Sequence, residues 1–82
     1  MDPDNILKTL NELTRSSLSK DGFQLKLKKV DSNGVVKVLL EAQEGACIDC
    51  LVPDEILIEL IEMKIRSIYP ELKYVELIKG FS

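Results

Sequence analysis

The chain contains no histidine and no tryptophan. Without imidazole there is no His general base, no Cys/His nucleophilic pair and no His-containing zinc pattern. Cysteine is scarce as well: Cys47 and Cys50 are the only two, too few for a disulfide scaffold. Apolar runs such as Ile56-Leu57-Ile58 fall far short of the roughly 20 residues a membrane span needs. The acidic start, Met1-Asp2-Pro3-Asp4, lacks the basic and apolar regions of a signal or transit peptide. Excess positive charge is absent too, with 11 Lys and Arg against 14 Asp and Glu. That balance removes the electrostatic term behind most nucleic-acid and anionic-membrane binding. A soluble, cytoplasmic chain in a reducing compartment is expected, with no nucleic-acid and no membrane partner.

What is there suits a small folded unit. The 82 residues are 45% hydrophobic and 30% charged, close to globular averages, and read as a single domain over 1–82. A domain of this size buries only about 60–65% of its unfolded surface. Asp2-Pro3 followed by Ile6, Leu7, Leu10 and Leu13 gives a cap, an early proline and helical spacing, predicting a helix over about 3–17. Phe23, Leu25 and Leu27 alternate with Gln24, Lys26 and Lys28, the signature of a half-buried strand. Asp31-Ser32-Asn33-Gly34 is a turn in which Asn and Gly tolerate positive φ, and the β-branched run from Val35 to Ala42 completes a hairpin.

Residues from Asp54 to about Ile68 predict a second helix with a wide apolar stripe of Leu57, Ile58, Leu60, Ile61, Ile65 and Ile68. In this reading Lys64 snorkels out of the stripe, and Glu62 and Arg66 make an i,i+4 pair on the opposite side. Leu72 to Ile78 predicts a last strand. The order α-β-β-α-β implies an α+β two-layer sandwich. Its three-stranded mixed sheet has an antiparallel hairpin and a right-handed parallel crossover, with two helices on one face and a more polar face opposite. Lys26, Lys28, Lys29 and Lys37 fall on the hairpin's outer face. They read as a solvated edge before they read as a docking patch for acidic partners.

Only Cys47-x-x-Cys50, between a strand and a helix start, carries chemistry. Residues three apart across a tight turn can aim both sulfurs at one metal or at each other. The neighbouring helix start favours thiolate, while Asp49, Asp54 and Glu55 oppose it. Gly45 and Ala46 are small enough for close backbone approach. Three readings stand: a metal site, a thiol–disulfide pair, or two buried thiols of no chemical consequence. Redox folds of the thioredoxin kind place the pair after the first strand, whereas here it follows a helix and a hairpin. Metal ligation leaves two thiolates short of four, a gap that a second copy of the chain about a two-fold axis fills.

Lys20-Asp21-Gly22, the hairpin, Gly45-Ala46-Cys47-Ile48-Asp49-Cys50, the apolar helix with Ile56-Leu57 and Ile61-Glu62, and Pro70-Glu71 before a Val75-containing strand together resemble the C-terminal domain of NifU-like iron–sulfur scaffold proteins. The resemblance spans almost the whole chain. It implies that Cys47 and Cys50 bind the metal of an iron–sulfur cluster, usually [4Fe-4S], shared between two chains. It also implies upstream cluster-assembly proteins and apo iron–sulfur client proteins as partners, a homodimer when loaded, and a carrier in place of an enzyme. Phe23 stands where the family repeats glycine, Leu51 where proline usually follows the second cysteine, and Pro53-Asp54 where small or hydroxyl residues open the helix.

Overall fold

The computed structural model describes residues 2–50 and 53–80, without the side chains of Ser17 and Ile48. Helix α1 spans Pro3–Leu13; the Asp2 carboxylate accepts from the Asp4 N–H at 3.0 Å, and Pro3 sits in the first turn. This is the N-cap with an early proline that the sequence called for. The α-helix stops at Leu13, short of the expected boundary, and passes into a π-helical segment, Thr14–Leu18, then a 3-10 turn, Ser19–Asp21. The reason lies in spacing: Ile6, Leu10 and Leu13 follow an α-helical face, but the next leucine is five residues on. Widening the turn to an i→i+5 pattern brings Leu18 back to the core.

Strands β1 (Phe23–Val30) and β2 (Val35–Ala42) form the antiparallel hairpin, and β3 (Tyr74–Lys79) pairs with β2 in parallel, in the order β1-β2-β3. The predicted mixed sheet and the α-β-β-α-β order are present, and the fold is α+β. The register slips between Leu27 and Lys29, leaving Lys28 as the extra residue of a bulge. At the turn only Gly34 takes a positive φ, +90°. Asn33 does not; the Asp31 carboxylate instead accepts the Asn33 N–H at 3.0 Å, an Asx turn that needs no left-handed asparagine.

Helix α2 covers Asp54–Arg66. Ile6, Leu10 and Leu13 of α1 and Leu57, Ile61 and Ile65 of α2 pack with Phe23, Leu25, Val36, Val38, Leu40 and Val75 from one sheet face. The apolar stripe of α2 is narrower than its sequence suggests. Ile58 is half-buried, whereas Leu60 and Ile68, placed in the stripe by periodicity, are exposed along with Ile56 and Met63. The sheet and α1 cover only a narrow arc of the helix, so an apolar strip faces outward. On the open sheet face Lys26 pairs with Glu41 at 2.9 Å and Lys37 with Glu76 at 3.9 Å, around half-buried Leu39 and Ile78, which sit side by side in the register.

The connection from α2 to β3 is fastened by Glu62 and Arg66. Arg66 donates to the Leu72 carbonyl from Nε at 3.2 Å and to the Lys73 carbonyl from Nη2 at 2.6 Å. Glu62 accepts the Val75 N–H at 2.9 Å and faces Arg66 at 3.4 Å. The sequence reading took these two for a simple surface pair. With those carbonyls held by Arg66, and the Lys73 N–H bonded to the Gly34 carbonyl, β3 begins at Tyr74, two residues later than expected.

Candidate functional site

The two cysteines lie on the loop that leaves the end of β2, at the end of the sheet where β3 also stops and β1 starts. Three backbone hydrogen bonds fix the loop's path. Gln43 N–H donates to the Gly22 carbonyl at 2.7 Å, Cys47 N–H to the Asp21 carbonyl at 3.0 Å, and Ala46 N–H to the Gln43 carbonyl at 3.0 Å, closing a tight turn. Gly45 sits in that turn at φ +82°, a conformation that side chains resist. Cys50 N–H then donates to the Cys47 carbonyl at 3.1 Å, closing the 3-10 turn Ile48–Cys50.

Gly22 is the other half of this arrangement. It lies at φ +86°, and a Cβ placed there would stand 2.9 Å from the Ala46 Cα. The Asp21-Gly22 turn and Ala46 are therefore small and bent for each other's sake. The small side chain of Ala46 has a use within the fold, since its neighbour is Gly22. Gly45 has nothing within 4 Å of its missing Cβ, so its requirement is conformational.

The turn brings the cysteine Cα atoms to 5.2 Å, and the two sulfurs are joined as a disulfide. Cys47 is half-buried; Cys50, Asp49, Glu44 and Gly45 are exposed. The pair is thus presented at the surface, against the reading of two buried, inert thiols. Among the described residues no group of three or more His, Cys, Asp or Glu side chains converges to hold a metal ion. One chain offers two sulfur donors and no third or fourth, half the set that a tetrahedral zinc or an iron–sulfur cluster takes.

The carboxylates near the loop have their own explanations. Asp54 and Glu55 stand in the first turn of α2, where negative charge complements the helix dipole. Asp54 also pairs with Lys79 at 2.9 Å, tying the start of α2 to the end of β3. Pro53 caps the helix with no side-chain hydrogen bond. Leu51, between the cysteine turn and α2, lies outside the described residues. Phe23, the departure next to Gly22, is 1% exposed and belongs to the core.

Of the hairpin lysines, Lys29 lies opposite Lys37 in the register. Lys26 pairs with Glu41 and Lys37 with Glu76, and Lys28 is the extra residue of the bulge. Among the aromatics, the Tyr69 hydroxyl accepts from the Asp2 N–H at 3.1 Å and the Asn5 amide at 2.9 Å, fastening the segment after α2 to the start of α1. Tyr74 is exposed, and Phe81 lies outside the described residues. What sequence reasoning missed is the backbone of Asp21 and Gly22 as the loop's anchor. Its only signal was the Lys20-Asp21-Gly22 motif, 25 residues before the first cysteine with Gly22 as its final residue.

No helix among the described residues is long and apolar enough to cross a membrane. No curated protein matches the chain. The family described as the NifU-like domain does, over residues 6–76, a span that runs from α1 into β3 and includes the Asp21-Gly22 turn, the cysteine loop and the Glu62–Arg66 clasp. The chain belongs to the NifU-like domain family, a family of iron–sulfur cluster assembly.

Proposed function

We propose that this protein is a scaffold or carrier that holds an iron–sulfur cluster, [4Fe-4S] by preference, between two chains and passes it to apo-proteins. The observation that carries the reading is the Cys47-x-x-Cys50 turn, with Cys50 exposed and Cys47 half-buried, fixed by the Asp21 and Gly22 carbonyls and with no third donor among the described residues. Two sulfurs per chain make a half-site, and a homodimer completes it with four thiolates. The cluster is cargo here, so the chain acts as a carrier and not as an enzyme.

The disulfide sets the first step. Two electrons and two protons from a dithiol reductant convert it to two thiols, and loss of both protons gives the ligating thiolates. A cytoplasmic setting supplies such reductants. Release follows by ligand exchange, in which a client's thiolate replaces Cys47 or Cys50 stepwise. Exposure of Cys50 suits this, because an incoming thiolate must reach the bond being exchanged. Upstream assembly proteins and apo iron–sulfur clients are the partners this chemistry requires.

A second reading rests on the disulfide itself: a thiol–disulfide module that uses the same two residues as a reversible two-electron couple. Iron uptake by the wild-type chain separates the two, and Cys50→Ser tests the ligand assignment. In the carrier it abolishes stoichiometric, dimer-linked uptake of iron and sulfide. If the variant still binds both as a dimer, the ligand assignment is wrong. If the wild-type chain takes up no iron but titrates as a monomeric two-electron couple, the redox module replaces the carrier.

A further inference from the structure

Helix α2 turns an apolar strip to solvent on the side away from its core residues. Ile56 is 47% exposed, Leu60 38% and Met63 68%, and Ser67, one turn further, is exposed too. The spacing 56, 60, 63, 67 alternates four and three residues, the seam of a two-stranded coiled coil. At about 100° per residue the four positions fall within a narrow arc, with Glu59 on one flank and Lys64 on the other. Both flanking side chains are exposed, and neither has an ion-pair partner among the described residues, although Glu62, Arg66 and Asp54 of the same helix all do.

We propose that this strip is the surface on which a second copy of the chain packs, with the two α2 helices side by side and parallel. Two independent features select this occupant and this direction. With Ile56 and Met63 at d-type and Leu60 and Ser67 at a-type positions, Glu59 is a g position and Lys64 the e position five residues on. In a parallel pair g faces the partner's e, so Glu59 meets the partner's Lys64, twice by symmetry. An antiparallel pair would set Glu59 against the partner's Glu59 and Lys64 against the partner's Lys64. The second feature is the cysteine turn, which ends at Cys50, shortly before α2 begins at Asp54. Parallel packing delivers both turns to the same end of the dimer, as a shared four-thiolate site demands, and antiparallel packing separates them by about 20 Å of helix.

The seam is short, about 17 Å from residue 56 to residue 67, and ends on serine. It therefore holds two chains loosely on its own and positions the thiolates for the cargo to complete the union. As the interface that joins two half-sites it rests on the carrier reading, and its test uses no metal, so the two can fail separately. The experiment is sedimentation equilibrium of the full chain, reduced and metal-free, up to about 1 mM, a concentration matched to an association of a few kcal/mol.

The expected result is a reversible dimer that Leu60→Ser with Met63→Ser weakens about tenfold or more. Glu59→Lys and Lys64→Glu each weaken it about tenfold, and the two together restore it, because only a parallel seam re-pairs the exchanged charges. All of these side chains are exposed, so the variants keep the fold, which circular dichroism verifies. A chain that stays monomeric at about 1 mM overturns the proposal. So does a dimer indifferent to these substitutions, which would mean that copies meet elsewhere and the strip serves another protein, or a charge exchange that fails to rescue. A monomeric chain that still forms a four-iron dimer on reconstitution would discard the seam and keep the carrier. A seam dimer that takes up no iron would do the reverse.

Discussion

Gly22 decides how the cysteine turn is held. Its φ of +86° and the 2.9 Å approach to Ala46 leave no room for a side chain. Gly22→Ala is expected to cost about 1–3 kcal/mol, lowering the melting temperature by several degrees for a domain this size. Gly45→Ala, with the same handedness but open space around it, is expected to cost only about 1 kcal/mol. Urea denaturation of the two variants checks the difference; equal losses would mean that the packing of Gly22 on Ala46 contributes nothing. At this scale the cysteines were legible because the chain has so few chemistry-bearing residues that Cys47 and Cys50 had no rivals. The Asp21 and Gly22 anchors were not, because a carbonyl's partner is a tertiary fact and carbonyls look alike in every residue. Lys64 was expected to snorkel out of the apolar stripe, and it is exposed.

Elements were legible in kind and order, since strand alternation, helical spacing and the Gly34 turn are local signals. Their ends were not. The helix from residue 3 changes to a π segment so that Leu18 can reach the core, a demand set by the sheet and invisible to a fixed period. The last strand starts late because Arg66 takes the carbonyls of Leu72 and Lys73. Glu62 does comparable work at the sheet edge, where its carboxylate, with a side chain only 16% exposed, satisfies the Val75 N–H. An unpaired edge donor is costly when half-buried, and a capped one is also closed to a foreign strand. Glu62→Ala is therefore expected to destabilise the fold by about 1.5–3 kcal/mol. Glu59→Ala, three residues away with no partner among the described residues, is expected to change stability by less than about 0.5 kcal/mol. Chemical denaturation of both at neutral pH checks this, and equal effects would count against the clasp. Core positions behave conventionally: Ile61→Ala, at a fully buried site, should cost about 2–5 kcal/mol.

At the scale of the whole molecule the architecture gathers chemistry at one end and leaves the long side of α2 for company. The sheet and helices hold the cysteine loop where β2 ends, and the ion pair of Asp54 with Lys79 ties the first turn of α2 to the last strand. In the proposed carrier a single chain supplies half of a ligand set, so function would belong to a pair of chains, brought together by the α2 seam and closed by what they carry. The most direct test is anaerobic reconstitution of the reduced chain with iron and sulfide, then size-exclusion chromatography with iron, sulfide and protein quantified in each peak. The account predicts a dimer peak with about four iron and four sulfide per two chains. A monomer that binds no iron and cycles a Cys47–Cys50 disulfide would contradict it.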